Sequence, residues 1–176
     1  MRVTNDDSID KVLFPAGIPE SEGDIRLTFE LYKIMVASSE GLVARRQGVN
    51  TFFLTLNGAA LTACGLILST AQTGPHKALA LLALTVTGAI LAHAWRSLLV
   101  SFGQLNTGKF VVINRLEQLF PAAIFFAEWQ ALGQGKQPEK YRTFTSREMW
   151  TPLAFFWIYV IASIVEALVW VGLLVL

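Results

Sequence analysis

Residues 151–176 read TPLAFFWIYVIASIVEALVWVGLLVL, and Glu166 is the one charged residue among them. A helix needs about 20 apolar residues to cross a ~30 Å hydrocarbon core at ~1.5 Å per residue, and this stretch is longer than that. It is apolar on every side rather than along one stripe, so a buried helix in a soluble bundle fits it poorly. Earlier in the chain, 49–71 and 78–95 are two more such runs. The latter is extended past Arg96 by the apolar residues 97–100, and Arg96 can snorkel to the headgroups. Composition agrees: 53% of the 176 residues are hydrophobic and 15% charged, where a soluble domain carries about 25% charged. A globule this small cannot hide so much apolar surface. The sequence predicts an all-α integral membrane protein with three transmembrane helices, an N-terminal amphipathic helix and short cytoplasmic helices.

Gly74-Pro75 breaks the chain between the first two runs and makes them a transmembrane hairpin, 49–100. Arg45, Arg46, Arg96, Lys109, Arg115, Lys136, Lys140, Arg142 and Arg147 fall on one side of the spans, and Lys77 on the other. The basic side is read as cytoplasmic. The N-terminus then lies inside, and the C-terminus outside, of a bacterial-type inner membrane. Residues 1–23 read as a flexible arm without the apolar core of a secretory signal. Residues 24–48 read as an amphipathic helix with Leu27, Leu31, Ile34, Met35, Ser38 and Leu42 on the face expected to pack; it can run straight into the first span. The cytoplasmic segment 101–150 reads as two short helices. Thr107 would cap the first, 108–119; Pro121 would open the second, ending at Leu132 with Gly133 as its cap. Thr145-Ser146-Arg147-Glu148 has capping-box spacing before the third span. Trp150, Trp157 and Trp170 suit the interfaces.

Most chemistry is disfavoured. The net charge of +1 gives no electrostatic case for nucleic acid. Cys64 stands alone, which excludes an intramolecular disulfide and any multi-cysteine metal site. His93 and Asn57 read as structural, and two histidines without paired carboxylates make a poor metal or triad set. Ser38-Ser39 has no partner base in the sequence. Residues 103–109 hold a G-x-x-x-x-G-K frame, but Phe110 stands where a phosphate loop needs a hydroxyl for magnesium, and no strand precedes it. Gln104, Asn106, Thr107, Gly108 and Lys109 read instead as a cytoplasmic connection near headgroups or a neighbouring subunit. No catalytic residue, metal or cofactor is expected.

Glu166 lies roughly 22 Å into the third span at ~1.5 Å per residue, with Thr62, Cys64 and Thr85 at similar depth. An ionisable group there faces protein or water rather than lipid and is a candidate site. These weak partners could not hold a bare carboxylate. Glu166 is therefore read as protonated, watered from outside or paired within an oligomer. Gly58, Thr62, Gly65 and Ser69 form a small face on the first span, and Gly88 and Ala92 a small pair on the second. Such faces let membrane helices approach closely, within the hairpin or between subunits.

Several segments together carry a likeness: Leu31-Tyr32-Lys33, the string from Ala44 to Asn57 (ARRQGVNTFFLTLN), Trp95-Arg96, Gln104-Leu105-Asn106-Thr107-Gly108-Lys109-Phe110, Ile113, Glu117, Glu128-Trp129-Gln130-Ala131-Leu132-Gly133, and the stretch around Tyr141, Phe144 and Thr145. The chain resembles the RipA-type octameric membrane protein family of bacteria over about 29–157. The resemblance implies an eight-subunit homo-oligomer in the inner membrane without an established enzymatic activity, and loosely a link to stress fitness or growth in a host. It supplies no catalytic residues. The favoured reading is a homo-oligomeric ring around a pore or lipid-filled centre, with itself and membrane lipids as partners. The alternative is a membrane-anchored scaffold whose cytoplasmic helices recruit another protein.

Overall fold

The computed structural model describes residues 6–70, 74–137, 139–141 and 148–173. Among them the chain is helical: α1 (Asp6–Leu13), α2 (Glu22–Ser69), α3 (Pro75–Glu117), α4 (Ile124–Ala131), a 3-10 turn (Gly133–Gly135) and α5 (Trp150–Trp170). Three of these helices, α2, α3 and α5, are long and apolar enough to cross a membrane. The protein is an all-helical membrane protein.

Local chemistry sets the boundaries. Ser21 starts α2: its hydroxyl accepts the Asp24 amide (3.1 Å) and donates to the Asp24 carboxylate (2.7 Å), a reciprocal cap of the first turn. At the other end Lys77 donates to the carbonyls of Leu68 (3.0 Å) and Thr70 (2.9 Å), which no helical amide reaches. Pro75 opens α3, where its missing N–H costs nothing. The third span ends earlier than the sequence suggested. Gly172 takes φ +79°, its amide reaches Val169, and the Leu173 amide reaches Leu168 (2.9 Å), a Schellman stop for α5 after Trp170. Residues 174–176 lie outside the described residues, as does the Thr145–Arg147 part of the expected capping box.

Two further expectations change. No helix begins at Thr107; α3 passes through it unbroken to Glu117. The stretch read as a flexible arm carries α1. The second short helix does form, but it starts at Ile124 rather than Pro121, and Gly133 follows it at φ +67° as a left-handed terminator.

The chain divides into two compact units: Met1–Val43 with Gln104–Tyr141, and Ala44–Gly103 with Arg142–Leu176. The second, the membrane unit, has its core at Phe53, Trp95 and Leu99, with Val49, Leu91 and Phe155 packed against them. The buried face of α3 there is Leu81, Thr85, Gly88, Ala92, Trp95 and Leu99, a seam at three- and four-residue steps. Little else is covered: only 6% of the most apolar stretch of α5 is buried. In the first, polar unit, the inward face of α2 is Thr28, Tyr32, Met35, Ser39 and Leu42. Leu27, Leu31 and Ile34, expected to pack, are exposed.

Candidate functional site

The membrane unit holds a series of polar contacts. The Trp95 indole donates to Asn50 Oδ1 over 2.8 Å and stacks on Phe53 at 5.9 Å with the planes 5° apart. Asn57, fully buried, donates to its own helix at Phe53 (2.8 Å), and its main-chain carbonyl accepts the Tyr159 hydroxyl (3.0 Å). Glycine at 88 makes room for the Tyr159 ring: a Cβ there would lie 2.6 Å from it. Gly88 is thus spent within the protomer, against α5, and Ala92, the other half of the small pair, is fully buried.

Further along, Thr85, Ser163 and Glu166 meet. Thr85 Oγ1 lies 2.8 Å from Glu166 Oε2, 2.9 Å from the Ser163 hydroxyl that donates to it, and 3.0 Å from the Leu81 carbonyl. A threonine hydroxyl has one proton and two acceptor lone pairs. Thr85 donates to the Glu166 carboxyl and accepts from Ser163, so Thr85 is the partner that sequence depth had rated as weak. Thr62 does not join it; its hydroxyl back-bonds to Gly58 (2.9 Å). His93 is exposed beside Phe156 and lines an apolar cleft of about 400 Å³ between α3 and α5, to which Ser163 contributes from the α5 side.

Among the described residues the small face of α2 is left uncovered. Gly58, Thr62, Gly65 and Ser69 are all exposed, and a Cβ on Gly58 or Gly65 would meet no atom within 4 Å. The face is longer than sequence reading recognised. Gly48, Thr51 and Thr55 continue it, equally exposed, so that 48, 51, 55, 58, 62, 65 and 69 hold only glycine, threonine and serine. The alternating three- and four-residue steps were a legible signal.

The polar unit is organised around Glu117, which is 1% exposed. Its Oε1 accepts the Tyr32 hydroxyl and the Phe125 amide, and its Oε2 the Phe126 amide, each over 3.0 Å. A carboxylate from the last turn of α3 therefore caps the first turn of α4, where free amides and the helix dipole favour negative charge. Burial, and the same carboxylate, push the Tyr32 hydroxyl up to about 12. Arg115 holds α1 through a two-point contact to Asp10, one arm 2.7 Å long, and that hydrogen bond keeps the Asp10 carboxyl below its ordinary range.

The Gln104–Lys109 motif is a turn and a half of α3. Asn106 accepts the Ser39 hydroxyl (3.2 Å) and Lys109 donates to Ser38 (2.6 Å); Gln104, Thr107 and Gly108 are exposed. Ser38 therefore has an amine beside it that sequence spacing did not reveal. The pair makes no acyl-transfer site by itself: both residues sit mid-helix, where the ladder occupies the amides that would have to hold an oxyanion. The same holds for phosphate, since a cradle of free loop amides cannot exist inside a helix. Among the described residues, no three His, Cys, Asp or Glu side chains gather as metal ligands.

Residues that carry the family likeness meet across helices: Tyr32 with Glu117, Asn50 with Trp95, and Lys109 and Asn106 with the α2 serines. Neither the curated proteins nor the solved structures contain a match to this chain. The profile of the Octameric membrane protein family (8xMP) matches residues 29–169, most of the chain, and the chain belongs to that family.

Proposed function

We propose that eight copies of this chain form a ring in the inner membrane, N-terminus inside, and that the glycine–threonine–serine stripe of α2 lines its axis as a channel-like path. One observation carries this reading: seven small or hydroxyl residues recur along the whole first span and all are exposed in the protomer. Hydroxyls and bare glycine backbone gain nothing from acyl chains, whereas water hydrates them. Eight helices ~9 Å apart stand about 12 Å from a common axis. Removing a ~5 Å helix radius leaves an opening of roughly 7 Å radius. The stripe carries no charge, so the path sorts by size more than by sign. Glu166, turned to Thr85, is here an acceptor that holds α5 to α3, not a charged belt on the axis.

In this ring the exposed row Leu27, Leu31 and Ile34 is covered by the neighbouring copy. The same row is what favours the second reading, a membrane-anchored scaffold, because it could seat a different protein. The two separate on reconstitution of the purified oligomer into planar bilayers, with native mass spectrometry beside it. The ring reading expects an octameric mass and a conductance that Gly58→Leu reduces without dissociating the octamer. An intact octamer that never conducts leaves the scaffold. Dissociation by Gly58→Leu makes the stripe a packing seam.

A further inference from the structure

A second, smaller cavity opens in the membrane unit, about 190 Å³ in volume, lined by Asn50, Thr51, Leu54, Trp95, Glu148 and Thr151. It holds several times the ~30 Å³ share of one water molecule. In the sequence it falls where the spans give way to charge, beside Arg45, Arg46 and Arg96, at the level where lipid headgroups sit.

The polar atoms around it are poorly matched to one another. Arg46 Nε and Glu148 Oε2 lie 3.4 Å apart, within ion-pair range, yet both atoms are buried and, among the described residues, neither makes a hydrogen bond. The Arg46 side chain is 11% exposed. A buried charged atom without a hydrogen bond is costly, so the Glu148 oxygen is an acceptor awaiting a donor. Among the lining residues donors are in excess. Asn50 Oδ1 is occupied by the Trp95 indole, which leaves the two amide protons of Asn50 to point elsewhere. The hydroxyls of Thr51 and Thr151 join them on the lining. An acceptor that is anionic and a set of neutral donors, side by side, complement a zwitterion whose cation carries N–H groups and whose anion is a phosphate.

We propose that this cavity binds the headgroup of an aminophospholipid, with its primary ammonium on Glu148 and its phosphate on Asn50, Thr51 and Thr151. Leu54 and Trp95 provide the apolar floor along which the glycerol backbone lies. The site shares Thr51 with the α2 stripe but requires no pore, and lipid binding is read by adduct mass rather than by conductance. Phosphatidylcholine has the same charges but no N–H donor. Phosphatidylglycerol has hydroxyl donors but no cation. Both should bind less well.

The test uses the purified oligomer in mild detergent, titrated with phosphatidylethanolamine, phosphatidylglycerol and phosphatidylcholine of identical acyl chains, with lipid adducts counted by native mass spectrometry and the thermal midpoint read in parallel. Phosphatidylethanolamine should bind roughly tenfold tighter than either of the others, the worth of about one charge-assisted hydrogen bond, and should alone raise the midpoint. Glu148→Gln should abolish the preference. The double variant Thr51→Val/Thr151→Val, which leaves the ion pair intact, should weaken all three lipids alike. Equal binding of the three lipids, or a preference unchanged in Glu148→Gln, overturns the proposal. So does saturation by soluble glycerophosphoethanolamine without any binding of the lipid, which would make the ligand a free phospho-amine.

Discussion

Tyr159 lies over Gly88 so closely that a Cβ at position 88 would stand 2.6 Å from its ring. The ring cannot swing aside cheaply, because Tyr159 is fully buried and its hydroxyl is held by the Asn57 carbonyl at 3.0 Å. Gly88→Ala should therefore destabilise the membrane unit by about 1–3 kcal/mol, the usual cost of overpacking. Gly58→Ala, with open space at its Cβ, should be neutral or stabilising in the protomer through helix propensity. Thermal unfolding of both variants in detergent checks the contrast; equal midpoints would contradict the packing described.

The Tyr32–Glu117 contact makes a pH prediction for the polar unit. A hydroxyl pushed up to about 12 in the fold is neutral at pH values where an unfolded tyrosine, near ~10, has begun to ionise. Its contribution is full below pH ~10 and is lost as pH rises toward 12. Ultraviolet titration should show a late-ionising tyrosine that the wild type has and Tyr32→Phe lacks. Glu117→Gln should cost about 1–3 kcal/mol, because one of the three donors it accepts then faces an amide nitrogen. A titration unchanged by Tyr32→Phe would contradict the assignment.

Glu166 separates charge from hydrogen bonding. As an acceptor from Thr85 it should tolerate Gln, which accepts in the same place, while Glu166→Leu leaves Thr85 short of a partner and loosens α5 by about 1–2 kcal/mol. Size-exclusion profiles and thermal midpoints of both variants give the answer. A Glu166→Gln variant that loses conductance while the assembly holds would return the carboxylate to the axis.

Orientation is checked in intact cells on a Cys64→Ala background. Cysteines at Thr73 and Gln137 meet an impermeant thiol reagent; Thr73 should label and Gln137 should not. The reverse pattern would invert the topology drawn from the basic residues.

The spans were legible because length and all-round apolarity fix them with no partner needed, and 151–170 survives intact in α5. What sequence reading missed were features set by distant residues. Gly103, Thr107 and Gly108 read as punctuation, yet an isolated glycine costs a helix only about 1 kcal/mol, and α3 runs through all three. Of the α2 face read as Leu27, Leu31, Ile34, Met35, Ser38 and Leu42, the last three turn inward and the first three do not. Tyr32 and Ser39 turn inward beside them, because Glu117 and Asn106, 85 and 67 positions away, supply hydrogen bonds that no local pattern encodes. The hydroxyl stripe was read for half its length: Gly58 to Ser69 looked like a packing face, and Gly48, Thr51 and Thr55 were passed over inside the family string.

The central claim is that this stripe faces water on the ring's axis. It is tested by planar-bilayer conductance of the reconstituted octamer, on a Cys64→Ala background, with single cysteines at Thr55, Thr62 and the neighbouring Phe52, before and after a hydrophilic thiol reagent. The account predicts that modification at Thr55 and Thr62 blocks most of the conductance and that modification at Phe52 changes nothing. An octamer that conducts but is indifferent to modification at Thr55 and Thr62, or whose cysteines there crosslink to a neighbouring copy without ever meeting the reagent, would contradict it.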